Sequence, residues 1–354
     1  MPENRAEGKG HKDYPREWLL YRLSSLGDVA LTSGPMRYWH ERQGWLFTVL
    51  TRTDFAPLFE RNPAVRSVLS PNEEQLRLPG LLSFFSELAS AHRGKGLLDL
   101  HGTPRSRLLG GLWSGPVRRY PKMSLRRRLF LLRRSPADSA ILREHSVAQR
   151  YALALEPRAP SPGDLLPEIY LAPEETRAAK ARLRGIFNFS ARAPSPLVAL
   201  HPYATHCRKA WPEEYWRVFV RELEQAGLNW LVLGRGGGIF PGDARDLSNR
   251  TSLRELCALL AEARALVTGD SGPMHLAVAV RTPVLALFGP TTAEWGFFPA
   301  GEHDFVLESD LSCRPCSLHG RGSCPLRGLC LESITPAEVM RRLQDLPGTG
   351  PDRR

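Results

Sequence analysis

The stretch Ala265–Thr292, ALVTGDSGPMHLAVAVRTPVLALFGPTT, leaves the surrounding chain little choice of fold. A short apolar run, Ala265 to Thr268, leads into Gly269-Asp270-Ser271-Gly272-Pro273 and then the small-residue segment Met274 to Val280. A second apolar run, Val284 to Phe288, ends in Gly289-Pro290-Thr291-Thr292. Runs this short, apolar and bounded by Gly and Pro, read as buried parallel strands. Ser271 or Gly272 is suited to cap the helix between them, and Pro273 to its first turn. The unit is strand–helix–strand. Both strands deliver their carboxyl ends to the edge where open α/β sheets bind ligands. Backbone N–H groups at the helix start point to that edge and favour an anion, typically a phosphate. His275 falls one turn into the helix. Taken alone, the stretch also fits a well-capped helix with a satisfied histidine.

The same alternation runs through the rest of the 354 residues, a length that holds two domains of ordinary size. Trp18 to Leu23 reads as a strand, Ser24 to Asp28 as a turn, and Asp28 to His40 as a helix. Trp45–Thr51 and Val65–Leu69 read as further strands, Leu81–His92 as a helix, and Gly96–Leu100 as a strand entering the loop His101–Arg105. Proline-rich segments at 156–173 and 191–196 flank a charged helix, Glu174–Arg184, which reads as the interdomain connection. The alternation then resumes with strand Leu197–Leu200, helix Pro212–Ala226, strand Asn229–Leu233 and helix Ser252–Ala263. The pattern predicts two α/β domains, 17–175 and 176–354, after a disordered lead-in at 1–16.

The net charge of +11 calls for an anionic partner: nucleic acid, a membrane surface or a phosphorylated substrate. The excess is concentrated. No acid lies between Asp99 and Asp138, where Arg105, Arg107, Arg118, Arg119, Lys122, Arg126, Arg127, Arg128, Arg133 and Arg134 all occur. Within 116–134 these basics alternate with Leu125, Leu129, Phe130, Leu131 and Leu132, either as a solvated face or as a face against anionic lipid headgroups. A basic nucleic-acid-binding module is the alternative of another class. Against it, the basics form no aromatic-interleaved platform for single strands. No apolar run approaches the roughly 20 residues that span a bilayer. The N-terminus MPENRAEGKGHKDYPRE has no apolar core of a signal peptide, so a cytoplasmic protein is expected.

Arg22-Leu-Ser-Ser-Leu-Gly-Asp-Val-Ala-Leu-Thr32 follows the first strand. Gly27 permits a close turn, and Asp28 lies where the helix dipole stabilises a carboxylate. His201-Pro-Tyr-Ala-Thr-His-Cys-Arg-Lys-Ala-Trp-Pro212 follows a strand of the second half, and Gly234-Arg-Gly-Gly-Gly238 follows another. In this order, with Asp270, Ser271, Gly272 and His275, these segments resemble glycosyltransferase family 9, the lipopolysaccharide heptosyltransferases, over roughly Trp18 to Met340.

The resemblance implies two Rossmann-like doubly wound domains facing a central cleft, the GT-B architecture. It assigns the catalytic base to Asp28, which would take the acceptor's proton. It places Lys209 at the donor diphosphate as a catalytic cation needing no metal or cofactor. The donor-binding residues would be Thr205, Lys209, Gly234, Asp270, Ser271, Gly272, His275 and Thr291. Those on the acceptor side would be Ser24, Ser25, Arg105 and Arg107. The sequence departs from the family where an acid usually follows the strand before Gly234. Asp243 is the candidate to replace it at the ribose, and another nucleotide-sugar or core acceptor remains the alternative within the class. The implied partners are ADP-heptose and an anionic lipid-linked oligosaccharide, met by a monomer in peripheral contact with the cytoplasmic face of the inner membrane.

Cys313-Arg-Pro-Cys316, Cys324 and Cys330 form a compact set. Structural zinc, reduced thiols and disulfides are all compatible with that spacing.

Overall fold

Trp18, Leu19, Leu20 and Tyr21 are fully buried. The strand they form, β1 (Glu17–Tyr21), therefore has no solvent face, as expected at the centre of a parallel sheet covered on both sides. The computed structural model describes residues 14–187, 196–324 and 326–346. From β1 the chain enters α1 (Leu26–Ala30) and α2 (Ser33–Gln43), then β2 (Leu46–Leu50), β3 (Val65–Leu69), α3 (Gly80–Ala91), β4 (Gly96–Asp99), α4 (Pro104–Leu112) and β5 (Val117–Arg119). All pairings are parallel, in the order β3-β2-β1-β4-β5.

Helices α5 (Ser124–Arg133), α6 (Pro136–Arg143), α7 (Val147–Ala152) and α8 (Pro173–Phe187) lead to the second sheet. Its elements are β6 (Leu197–His201), α9 (Glu213–Gln225), β7 (Asn229–Val232), α10 (Leu253–Ala261), β8 (Ala265–Gly269), α11 (Gly272–Ala279), β9 (Val284–Phe288) and β10 (Phe305–Glu308). The short α12 (Leu329–Glu332) and α13 (Pro336–Gln344) follow. This sheet is also parallel, ordered β10-β9-β8-β6-β7. Both are doubly wound Rossmann-like domains, and each reverses strand order beside its first strand: between β1 and β4, and between β6 and β8. Such reversals open the crevice where ligands bind.

Several expectations change. The single helix expected from Asp28 to His40 is two, α1 and α2. Thr32 and Ser33 between them turn their hydroxyls onto the carbonyls of Val29 and Ala30, at 2.7 Å each. Such local bonds compete with a continuous helix ladder. The lead-in lies outside the described residues up to position 13, but Tyr14 is packed edge-on to Trp18 (5.6 Å) and Trp45 (5.9 Å). Of the proline-rich stretch at 191–196, residues 191–195 lie outside the described residues. α8 packs on α10, and Arg254 grips Glu175, donating to Glu175 Oε1 at 2.7 Å. The basic segment 116–134 is not one face but β5, a turn and α5. Leu125 and Leu132 of α5 are 70% and 81% exposed, whereas Phe130 is buried.

Candidate active site

α1 leaves β1 at the reversal point of the first sheet, and Asp28 stands in its first turn. Ser25 donates its backbone N–H (3.3 Å) and its hydroxyl (2.8 Å) to Asp28 Oδ2. Oδ1 receives the Arg22 guanidinium at 2.7 Å and the Tyr151 phenol at 3.1 Å. Burial alone would raise the Asp28 pKa. The Arg22 charge, then the bonds from Ser25 and Tyr151, outweigh it and hold the carboxyl below its ordinary value. Asp28 is therefore a carboxylate at neutral pH.

Further cations surround it. Lys122 donates to the carbonyls of His101 (2.8 Å) and Gly102 (3.1 Å), and Arg127 to the carbonyl of Lys122 (3.0 Å). Burial and the Arg22 charge lower the Lys122 pKa; burial also lowers that of Arg127, opposed by Tyr120 and Asp28. The buried Nε–H groups of Arg22 and Arg127 have no hydrogen-bond partner among the described residues.

The second edge faces the first. Lys209 ends a single 3₁₀ turn, Cys207–Lys209, after β6, and Asp270 follows β8. The Lys209 ammonium bonds Asp270 Oδ2, and Thr291 Oγ1 donates to the same oxygen at 2.7 Å. Pro273 occupies the first turn of α11 and Ser271 is its N-cap by backbone conformation, but the Ser271 hydroxyl does not cap. It is drawn instead to Thr268 Oγ1 (3.0 Å) and His201 Nδ1 (3.2 Å). His201 is buried, and burial pushes its pKa down to about 4, so the imidazole is neutral. Gly234 is required by space as well as by φ +116°: a Cβ there would stand 2.4 Å from the His201 ring.

The two helix starts touch. A Cβ on Gly272 would come 2.8 Å from Leu26 Cδ2, and one on Gly27 would come 2.5 Å from His275 Cδ2. Glycine at both positions lets the edge bearing Asp28 approach the edge bearing Lys209 and Asp270.

The other expected residues differ in their surroundings. His275 is packed against Gly27, and burial lowers its pKa to about 4. Thr205 is exposed on its loop. Arg105 and Arg107 ride exposed on α4, while Lys122 and Arg127 supply the charge near Asp28. Ser25 bonds the carboxylate and is exposed, while Ser24 beside it is half-buried. Asp243 is bound by Arg245 at 2.7 Å, which lowers its pKa, so its carboxylate is already engaged. Buried Asp246 instead shapes the glycine loop, accepting from Ile239 N–H (3.1 Å) and Phe240 N–H (3.0 Å). Of the residues around the two edges, Tyr151 carries no sequence signal, Arg127 stands out only as part of the basic cluster, and Arg22 and His201 only as the first residues of their motifs. No short-range pattern links Tyr151 to a residue 123 positions away.

The cysteines carry no disulfide among the described residues. No group of three or more His, Cys, Asp or Glu side chains among them is arranged to hold a metal ion. Arg208 reaches Cys316 Sγ at 3.2 Å, and the N–H of Gly328 reaches Cys324 Sγ at 3.4 Å. The thiols thus brace the loop that carries Lys209.

The family model described as glycosyltransferase family 9 (heptosyltransferase) matches residues 121–321. A curated relative, lipopolysaccharide heptosyltransferase 1 of Pseudomonas aeruginosa, is 36% identical over 159 residues, covering 42% of this chain and 41% of that protein. The chain spans only 31% to 41% of the length of the first curated relatives it matches. A family 9 glycosyltransferase structure from Veillonella parvula shares the fold at TM-score 0.71 and 17% identity, covering 94% of this chain and 97% of that one. The E. coli heptosyltransferase WaaC with ADP-2-deoxy-2-fluoro heptose does so at TM-score 0.59 and 20% identity, covering 93% and 99%.

Proposed function

The chain belongs to glycosyltransferase family 9, and from that premise we propose that it is an inverting glycosyltransferase that moves heptose from ADP-heptose to the lipopolysaccharide inner core. The observation that carries this reading is the opposition of an ionised carboxylate, Asp28, to a cation, Lys209, across touching edges of two Rossmann-like domains.

The chemistry follows from that opposition. The acceptor hydroxyl replaces the exposed Ser25 hydroxyl at Asp28 Oδ2, and Asp28 takes its proton as the oxygen attacks the anomeric carbon. Attack from the side opposite the leaving group inverts that carbon. Lys209 meets the charge that grows on the departing diphosphate, a role needing no metal. Lys122 and Arg127, which lie close enough to Asp28 to feel its charge, take the acceptor's anionic groups. The acceptor-binding domain comprises about 17–175 and the nucleotide-sugar domain 176–354. One chain supplies both sides, so a monomer suffices. ADP is the nucleotide carried by the WaaC ligand, which supports ADP-heptose as the donor here.

No helix among the described residues is long and apolar enough to cross a membrane. Peripheral contact with the cytoplasmic face of the inner membrane is proposed through α5, whose exposed Leu125 and Leu132 accompany exposed Arg128 and Arg133.

The test is transfer to a lipid-linked inner-core acceptor in chelator-treated buffer, offering ADP-heptose beside other nucleotide-sugars, with the product's anomeric configuration read by NMR. ADP-heptose should be preferred and the configuration inverted. Retention, or preference for a uridine donor, contradicts the reading.

A further inference from the structure

Lys209 is already occupied. Its ammonium bonds Asp270 Oδ2, which also accepts from Thr291, and the two side chains are only 16% and 13% exposed. The lysine stem is walled: a Cβ on Gly320 would lie 2.9 Å from Lys209 Cγ. Its backbone runs close to β8, where a Cβ on Gly269 would lie 2.9 Å from the Lys209 carbonyl. The neighbouring cation cannot take its place, because Arg208 is committed to the carbonyls of Arg321 (3.0 Å) and Gly322 (2.9 Å).

We propose that Asp270 is a specificity-determining residue that exchanges Lys209 for the sugar of an intact donor, so that a nucleoside diphosphate lacking a sugar must compete with Asp270 for Lys209. This rests on the donor reading above. An intact nucleotide-sugar brings phosphate oxygens to the ammonium and hydroxyl donors to Asp270, so both partners of the broken pair are satisfied again. A free nucleoside diphosphate satisfies only the lysine. It leaves a mostly buried carboxylate short of a donor, which is costly. The consequence extends to product release. Once the sugar has left for the acceptor, Asp270 regains its claim on Lys209 and weakens the hold on the diphosphate.

The exchange is tested by calorimetric ADP binding to wild type, Asp270→Asn, Lys209→Met and the double variant, each with its melting temperature recorded. Asn keeps the size of Asp270 and an oxygen for Thr291 but does not hold the ammonium by charge. Asp270→Asn should bind ADP about tenfold more tightly than wild type, the scale of one charge-assisted hydrogen bond released to the ligand. ADP should also become a correspondingly stronger product inhibitor. On the Lys209→Met background the same change should leave ADP affinity unaltered, because no ammonium remains to contest. If wild type binds ADP and a folded Asp270→Asn binds it equally or more weakly, the exchange is wrong while the donor reading stands. Tightening of equal size with and without Lys209 would also overturn it. If wild type binds no ADP at all, the donor reading fails first, and the exchange with it.

Discussion

The phenol of Tyr151, on α7, donates to Asp28 Oδ1 at 3.1 Å, the same oxygen that Arg22 approaches at 2.7 Å. Bonds to the charged form lower a carboxyl pKa, and removing one raises it. In Tyr151→Phe the acid limb of the kcat/KM profile should therefore move to higher pH. Turnover at neutral pH should fall by much less than the roughly 10²–10⁴-fold that a lost general base costs. A profile that keeps its acid limb would show that Tyr151 only fills space.

The outer face of α5 makes a separate prediction. Binding to anionic vesicles should weaken as salt rises, because exposed charge is screened over about 10 Å at 0.1 M. Replacing Leu125 and Leu132 by Gln, or Arg128 and Arg133 by Gln, should each reduce sedimentation with anionic vesicles while ADP affinity is unchanged. Arg127 is left intact in both, since it faces the site. Equal sedimentation with neutral and anionic vesicles would make α5 a solvated helix.

Acid should destabilise the fold through its buried histidines. His201 and His275 are both held near a pKa of about 4 by burial, below the ordinary 6.5. The unfolded chain therefore binds their protons more readily. Stability is fully present above about pH 6.5 and is lost as pH falls toward 4. His201→Gln keeps a polar atom near Thr268 and Ser271 and should flatten that slope, as followed by melting temperature. An unchanged slope would mean that His201 does not titrate on unfolding.

The strands that frame the site were legible in the sequence because buried parallel strands announce themselves. Ala265–Gly269 and Val284–Phe288 are unbroken apolar runs between glycines and prolines. The glycines were legible only as local devices, Gly27 as a turn and Gly272 as a cap candidate, whereas the structure shows each at a close approach. What was not legible is what approaches. That Gly27 faces His275, or that Tyr151 and Arg127 return to Asp28, depends on how the two sheets are set against each other. No local pattern encodes this. The loop expected at His101–Arg105 is cut short: α4 begins at Pro104, capped by Thr103, and carries Arg105 and Arg107 exposed on its surface. Asp243 is paired with Arg245, only two residues away.

The account rests most heavily on Asp28, and one comparison tests it directly. Asp28→Asn keeps the size of the side chain and its ability to accept from Ser25, but it is a poor base. Sugar transfer, melting temperature and ADP affinity should be measured on the same preparations of wild type and variant. The account predicts a folded variant with a lower melting temperature, because buried Arg22 loses its charged partner, nucleotide binding close to wild type, and turnover lowered by about 10²–10⁴-fold. Near-normal transfer by a folded, ADP-binding Asp28→Asn variant would contradict the assignment of Asp28 as the base.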